Sequence, residues 1–524
     1  MTKAKSKKWA CGLAVLLAMG CLGGCKGGDT SSSSNPANGS LEEVKSGLLY
    51  EDGKNIQLAP NQETEVIIGK DVEAQNYLTM QLLSDVNLLG YIYYHETDNT
   101  AKTHKEKIYI EAHNPNFSIF LDAFRVGAFG AFEKTIDKIT LRNVSATAGG
   151  VAVKRVDIGD RVYDNQEMLY TSNAYLKIGA SLAAGGSLCH VESLNRNVVE
   201  YLDEDGRVRI DQYIDKKQVN MITDQVNMVN IHDLGREIQQ SFYSYVDETH
   251  GYAPDDDVLY EGNLLYNPVQ AGSAGDKQSQ IIDYHVNENE IYVKCRPQDW
   301  FLRNTQSDSY MESTYAFAKD GTLRVTNRFV NFSEFKDMAT TRLGGQETPA
   351  IYIVHPLNYF YCETRGGDIF DSKLLGAMTT QSKTSIDHEV VGDYHYTLSS
   401  EQVYKDWFAF VNDQKFGMGI YMPNMDQLIA SRGWTSTYYT MVANRFYNSS
   451  IYQLDGAIYP SAYVNNYNYC CPSVIRRMMD FVPFEYTFAL YVGTVEEMRD
   501  TFGKLQEDKV ITNESMEAWE GLEA

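Results

Sequence analysis

Basic residues are in short supply: 46 lysines and arginines face 70 aspartates and glutamates over 524 residues, a formal charge of −24. No Lys/Arg-rich stripe follows the first ten residues, so a nucleic-acid partner held through its phosphates is not expected. Cysteine is scarce and poorly spaced. After Cys25 only Cys189, Cys295, Cys362, Cys470 and Cys471 remain, with no CxxC among them. That argues against a disulfide framework or a zinc ribbon. GxSxG, HExxH and a glycine loop ending in Lys-Ser/Thr are all missing, which removes the main signatures of a serine hydrolase, a zincin and a phosphate-binding loop. Gly344-Gly345 and Gly366-Gly367 read as turn glycines, and Asp255-Asp256-Asp257 as a solvated acidic loop rather than a calcium cage. No metal or cofactor is expected. Tyrosine is what the chain has in excess, with 37 residues against 21 Phe and 5 Trp. A ring with a hydrogen-bonding tip suits strands, and also surfaces that bind sugars or proteins.

The first 24 residues combine a basic head (Lys3, Lys5, Lys7, Lys8), an apolar run from Trp9 to about Leu22, and Gly23-Gly24. That is the pattern of a secretory leader, too short for a secure membrane span. Leu22-Gly23-Gly24-Cys25 resembles the lipobox of bacterial lipoproteins. The resemblance implies cleavage before Cys25, acylation of that cysteine, and an extracytoplasmic protein lipid-anchored in the bacterial cell envelope. Cys21 fits less well, because the leucine three positions upstream is missing. Loss of the leader's four lysines would take the charge from −24 to −28. Residues 25–40, rich in Gly, Ser and Asn, read as a flexible tether.

The length predicts two to four domains. Over residues 41–158 short runs rich in Val, Ile, Tyr and Phe alternate with polar turns, which predicts a jelly-roll-like β-sandwich. Phe117 to Arg125 suits one short helix or an irregular strand. Over residues 173–510 strand candidates include Gln280 to Tyr284, Glu290 to Cys295, Thr314 to Phe317, Leu323 to Phe329, Trp407 to Val411 and Tyr486 to Val492. So many strands exceed a simple sandwich and predict a two-sheet supersandwich. Thr494-Val-Glu-Glu497 reads as a capping box opening a short C-terminal helix, with residues 511–524 as a tail. Alternation of strands with long amphipathic helices is missing, so the fold class is all-β.

The densest polar stretch runs from Asn227 to Tyr245. It holds His232, Asp233, Arg236, Glu237 and Gln240 around Gly235, and suits a loop leading into a cleft-lining strand. A helix with a structural ion pair fits its spacing equally well. Downstream lie Asn267 and Gln270, then Lys294, Gln298 and Trp300, then Asp308 and Glu312. Amide, guanidinium (Arg296 in the same run), indole and carboxylate groups are the types that bind sugar hydroxyls and stack on sugar rings. Glycoside hydrolysis needs two carboxyls, and the candidates are Asp233, Glu237, Asp308 and Glu312. Glu312, just before a predicted strand, is the leading candidate, because partial burial there would raise its pKa for proton donation. The alternative is a salt-bridged strand-end carboxylate. A lyase would draw on His232, Arg236, Lys294 and Tyr243. Later aromatics, among them Trp407, Trp434, Tyr459 and Tyr469, extend a ligand surface or pack in the core, and Tyr459 to Cys471 reads as a loop.

The runs Tyr175-Leu-Lys-Ile-Gly, Gly185-Gly186-Ser, His232-Asp-Leu-Gly-Arg236-Glu-Ile-Gln-Gln240, Asn267-Pro-Val-Gln270, Tyr292-Val-Lys294 and Met311-Glu312 resemble secreted bacterial β-supersandwich proteins related to galactose mutarotases. The resemblance covers residues 173 to 500 and implies a polysaccharide or oligosaccharide as ligand, without naming a reaction. The expectation is a carbohydrate-active envelope protein, an enzyme with Glu312, Asp233, His232 and Arg236 at its centre. Glu237, Gln240, Asn267, Gln270, Lys294, Gln298 and Trp300 would contact the ligand. The alternative is a non-catalytic glycan-binding lipoprotein.

Overall fold

The computed structural model describes residues 47–50, 53–66, 72–74, 77–96, 99–121, 134–159, 168–195, 227–229, 237–242, 266–273, 277–300, 306–334, 344–354, 357, 359–371, 395–412, 414–432, 467–476 and 479–513. All of these belong to one compact unit, residues 43–524.

The N-terminal part is built from β1 (Gly47–Tyr50), β2 (Ile56–Leu58), β3 (Glu63–Val66), β4 (Val72–Ala74) and β5 (Tyr77–Ser84). They are joined by β6 (Leu88–Glu96), β7 (Asn99–Ile110), β8 (Asn116–Phe120), β9 (Lys134–Asn143) and β10 (Gly149–Gly159). Two antiparallel sheets result, β1-β10-β5-β8 with β2 beside β10, and β3-β9-β6-β7 with β4 beside β9. Period-two patterning drives this: in β5 Leu78, Met80 and Leu82 are buried while Gln81 and Leu83 face water. They meet Leu88, Ile92, Ile108, Ile139 and Leu141 of the other sheet in one core. Phe117 to Phe120, the expected short helix or irregular strand, is part of the regular strand β8. Residues 122–125 lie outside the described residues.

A supersandwich follows. Its first strands are β11 (Met168–Ser172), β12 (Leu176–Ser181), β13 (Ser187–Ser193), β14 (Ile238–Ser241), β15 (Pro268–Val269) and β16 (Gln280–Val286). Next come β17 (Glu290–Arg296), β18 (Gln298–Asp299), β19 (Ser309–Phe317), β20 (Leu323–Asn331), β21 (Gly344–Val354) and β22 (Tyr359–Thr364). The last are β23 (Gly367–Asp371), β24 (His395–Ser399), β25 (Val403–Val411), β26 (Phe416–Tyr421), β27 (Gln427–Arg432), β28 (Tyr467–Arg476) and β29 (Phe484–Thr494). A ten-stranded sheet runs β11-β12-β13-β14-β21-β28-β27-β24 with β15 and β18 attached, and a nine-stranded sheet runs β16-β17-β19-β20-β29-β26-β25-β22-β23. Ile178, Ile238, Ile351 and Cys470 of the first sheet pack on Val293, Met311, Val325 and Phe488 of the second.

Helix α1 (Val495–Glu507) opens on the expected capping box, with the Thr494 hydroxyl accepting from the Glu497 amide and the Glu497 carboxylate from the Thr494 amide. Met498, Phe502 and Leu505 cover Trp407 and Tyr421 on the outer face of the nine-stranded sheet. Trp407, expected as a candidate for a ligand surface, is fully buried there. Two expected loops are strands. Gly344 and Gly345 pair with Arg476 and Ile475, and Tyr469 to Cys471 lie inside β28.

The sandwich and the supersandwich share apolar surface. Ile282, Tyr310, Val330 and Phe332, from the outer face of the nine-stranded sheet and the end of β20, belong to the sandwich core. Beside them Arg296, with no exposed side-chain surface, donates to Asp308 at 2.6 Å, to Glu106 at 3.4 Å, and to the carbonyls of Lys107 and Ser307. A guanidinium out of water needs this many acceptors.

Candidate functional site

Five strands of the nine-stranded sheet set charges of alternating sign in one row. Asp283 of β16 pairs in register with Lys294 of β17, Lys294 with Glu312 of β19, Glu312 with Arg328 of β20, and Arg328 with Glu485 of β29. Cβ atoms across such pairs lie about 5 Å apart, within reach of ion pairing. The alternation places them: Val293, Met311, Ser313, Asn327 and Phe329 turn into the core, so Lys294, Glu312 and Arg328 turn outward, toward the sandwich.

Glu312 is the hub. Its Oε1 accepts from Lys294 Nζ at 3.1 Å and from Arg328 Nη1 at 3.0 Å, and its Oε2 from the Tyr292 hydroxyl at 3.0 Å. Arg328 reaches across with its other amine to Glu111, just past the end of β7, and so ties sandwich to supersandwich. Lys294 Nζ also sits 4.7 Å from the centre of the Tyr310 ring, a favourable place for an ammonium. Lys294, Glu312, Arg328 and Glu111 keep 17, 18, 20 and 28% of their side-chain surface exposed, so the network is partly open to solvent.

The opening is a cleft of about 410 Å³ between the two β-structures. Asp283, Tyr292, Lys294, Glu312 and Arg328 form one wall, and residues 111–114 with 116–118 the other. His113 turns the chain there with φ of 61° while its amide donates to Ser84; histidine tolerates that region better than most side chains.

The charge states follow from the packing. Burial alone would raise the Glu312 pKa, but Lys294 and Arg328, with hydrogen bonds from Lys294 and Tyr292, outweigh it and hold the carboxyl below its ordinary value. This reverses the expected raised pKa and proton-donor role, and Glu312 stands inside a strand that begins at Ser309 rather than just before one. Burial disfavours the charged forms of Lys294 and Arg328, yet Glu312, joined at Arg328 by Glu111, keeps both above their usual values. Burial, then Glu312, push the Tyr292 phenol well up. Near neutral pH the wall therefore offers a carboxylate, an ammonium, a guanidinium and a protonated phenol.

Of the described residues expected at a site, only Lys294 meets the Glu312 side chain. Gln240, Gln270 and Asn267 are 0 to 1% exposed. Gln240 donates to the Glu312 carbonyl and the Ser313 hydroxyl, Gln270 to Ser313 and to the Gly185 carbonyl, and Asn267 to the Phe242 carbonyl. Through their NH2 groups these amides satisfy backbone and hydroxyl groups between the two sheets rather than a ligand, while Gln240 Oε1 has no partner among the described residues. Glu237 and Gln298 are likewise buried, at 1 and 4% exposure. Trp300 is half-buried, its amide bonded to the Asn267 carbonyl, and it is not part of the cleft wall. Asp308 belongs to the Arg296 network instead. His232, Asp233, Arg236, Tyr243, Trp434, Tyr459 and Cys25 lie outside the described residues. The sequence reading gave no role to Asp283, Arg328 or Glu111. The available signal was a charge on the outward parity of each of several consecutive strands.

No protein-family model and no curated protein matches this sequence. Among solved structures the chain is similar to the 4-alpha-glucanotransferase from Thermococcus litoralis, at 9% identity and a TM-score of 0.27. The match covers 63% of this chain and 38% of that one, so the chain spans well under half of that enzyme's length. A likeness this slight adds nothing to the chemistry of the cleft.

Proposed function

We propose that this protein is a glycan-binding lipoprotein of the bacterial cell envelope, anchored through Cys25, that holds an oligosaccharide segment between its sandwich and its supersandwich. The observation that carries the reading is the state of Glu312: paired with two cations and a phenol, it is an acceptor and anchor rather than an acid. Carboxylate, ammonium and guanidinium groups around a solvent-open cleft, with the Asn114, Asn116 and Ser118 side chains opposite, supply the donors and acceptors that sugar hydroxyls need. The lipobox-like ending at Cys25 and the resemblance of the supersandwich to mutarotase relatives support the location and the ligand class.

An enzymatic reading has one observation in its favour, which is that Glu111, Asp283 and Glu312 all line the same cleft. Asp283 and Glu312 sit two strands apart, roughly 9.5 Å at the usual strand spacing, near the upper end of the separation in inverting glycosidases. The test is to pass the full chain over immobilised neutral and uronate polysaccharides while following reducing ends and the absorbance of new double bonds. Retention without either product is expected. Reducing ends alone would mean a hydrolase, and reducing ends with absorbance a lyase. No retention and no product would overturn the glycan reading.

A further inference from the structure

The cations of the cleft already have their partners. Lys294 is held by Glu312 and stands over the Tyr310 ring, and Arg328 is shared between Glu312 and Glu111. An incoming carboxylate or sulfate would have to compete with a protein carboxylate for either one. The lining holds three carboxylates, Glu111, Asp283 and Glu312, against these two cations and the imidazole of His113, so negative charge is in excess wherever that imidazole is neutral. The whole chain, at −24, adds a field of the same sign. A neutral sugar still finds donors and acceptors on both walls, while a protonated amine gains attraction from the excess.

We infer that the cleft selects against acidic sugars and holds amino sugars more tightly than neutral ones. This rests on the glycan-binding reading above and specifies its ligand. Asp283, at the outer end of the charge row and beside Lys294, is the residue through which the amine is distinguished.

The test is titration calorimetry of the full chain with matched oligomers of glucose, glucosamine and glucuronic acid, and the corresponding galactose series, near neutral pH, where imidazoles are mostly uncharged and part of the amine is still protonated. The amine oligomer should bind roughly three- to tenfold tighter than the neutral one at low salt. The acidic oligomer should bind weakest, and the differences should shrink as salt is added. Asp283→Asn should remove most of the amine's advantage, read as the ratio of amine to neutral affinity in the same variant. An acidic oligomer that binds as well as the neutral one, or an amine preference that survives Asp283→Asn, would overturn the inference. Failure of every oligomer in both series would instead overturn the glycan reading beneath it.

Discussion

At the scale of single residues, Glu312 has a cation on each neighbouring strand, and that decides what it can do. Replacing it with glutamine leaves Lys294 and Arg328 facing each other without their shared counter-charge. Breaking a buried pair costs about 3–5 kcal/mol, and partial exposure lowers that here to about 2–3 kcal/mol. Urea unfolding of Glu312→Gln checks this, and the loss should shrink when Lys294 is already methionine. A loss below about 0.5 kcal/mol would mean the network is decorative. The folded pKa of Glu312 lies below its unfolded value, so its contribution is complete above the unfolded value and disappears as pH falls through the folded one. Asp480 has the opposite sign. Burial, against the pull of Lys107 and hydrogen bonds from the Glu334 backbone and the Ser333 hydroxyl, with Glu334 adding a small upward push, raises its pKa to about 6. The native state then binds this proton more readily than the unfolded chain, so its contribution weakens as pH rises from about 4 to about 6. Asp480→Asn should be close to neutral near pH 4 and stabilising by roughly 1–2 kcal/mol near pH 7, after discounting for solvent. Thermal unfolding at the two pH values reads the difference, and equal effects would remove the linkage. Residue types were legible here where partners were not. Glu312 and Lys294 stood out in the sequence, but Glu111 pairs with Arg328 across 217 positions, a contact that only sheet register and domain packing create.

Among secondary-structure elements, strands with strict alternation were readable because one face meets a core. Leu323 to Phe329 is such a case, with odd residues buried and even residues out. Patterning failed where composition misled. Tyr467-Asn-Tyr469 belongs to an Asn/Tyr-rich run, Tyr459 to Cys471, that reads as a loop, yet it opens a strand in which Tyr469 bonds Glu347 at 2.6 Å and Cys470 turns into the core. Ile238–Ser241 looked like part of a polar loop or helix, but Gln240 and Gln270 turn their amides onto Ser313 inside the supersandwich. Polar residues facing inward break the simple pattern and are recognisable only once their partners are placed. The turn Gly185-Gly186 anchors this interior. Gly185 has φ of 58°, and a Cβ there would lie 1.9 Å from the Gln270 carbonyl oxygen. Gly185→Ala should therefore cost about 3 kcal/mol or more, since strained backbone and a backbone collision add. An unfolding midpoint unchanged from the parent would contradict that close approach.

For the whole molecule, two β-structures that could be told apart in the sequence are joined by a core and by buried charge. Tyr310, Val330 and Phe332 extend the sandwich core into the larger body, and Arg296 bonds residues of both. The cleft exists only because of that junction: one wall follows β7 and leads into β8, and the other is β16, β17, β19 and β20. The all-β class and the order of the two bodies could be inferred from strand spacing, whereas the docking that makes the site could not, because it depends on contacts between segments about 200 residues apart. The most direct measurement is hydrogen exchange of the full chain with and without a saturating oligosaccharide found by retention. Slower exchange is expected in residues 111–118 together with 290–296, 309–317 and 323–331, and it should be lost in Glu312→Gln. Protection confined to other strands, with these segments unchanged, would contradict the cleft as the site of binding.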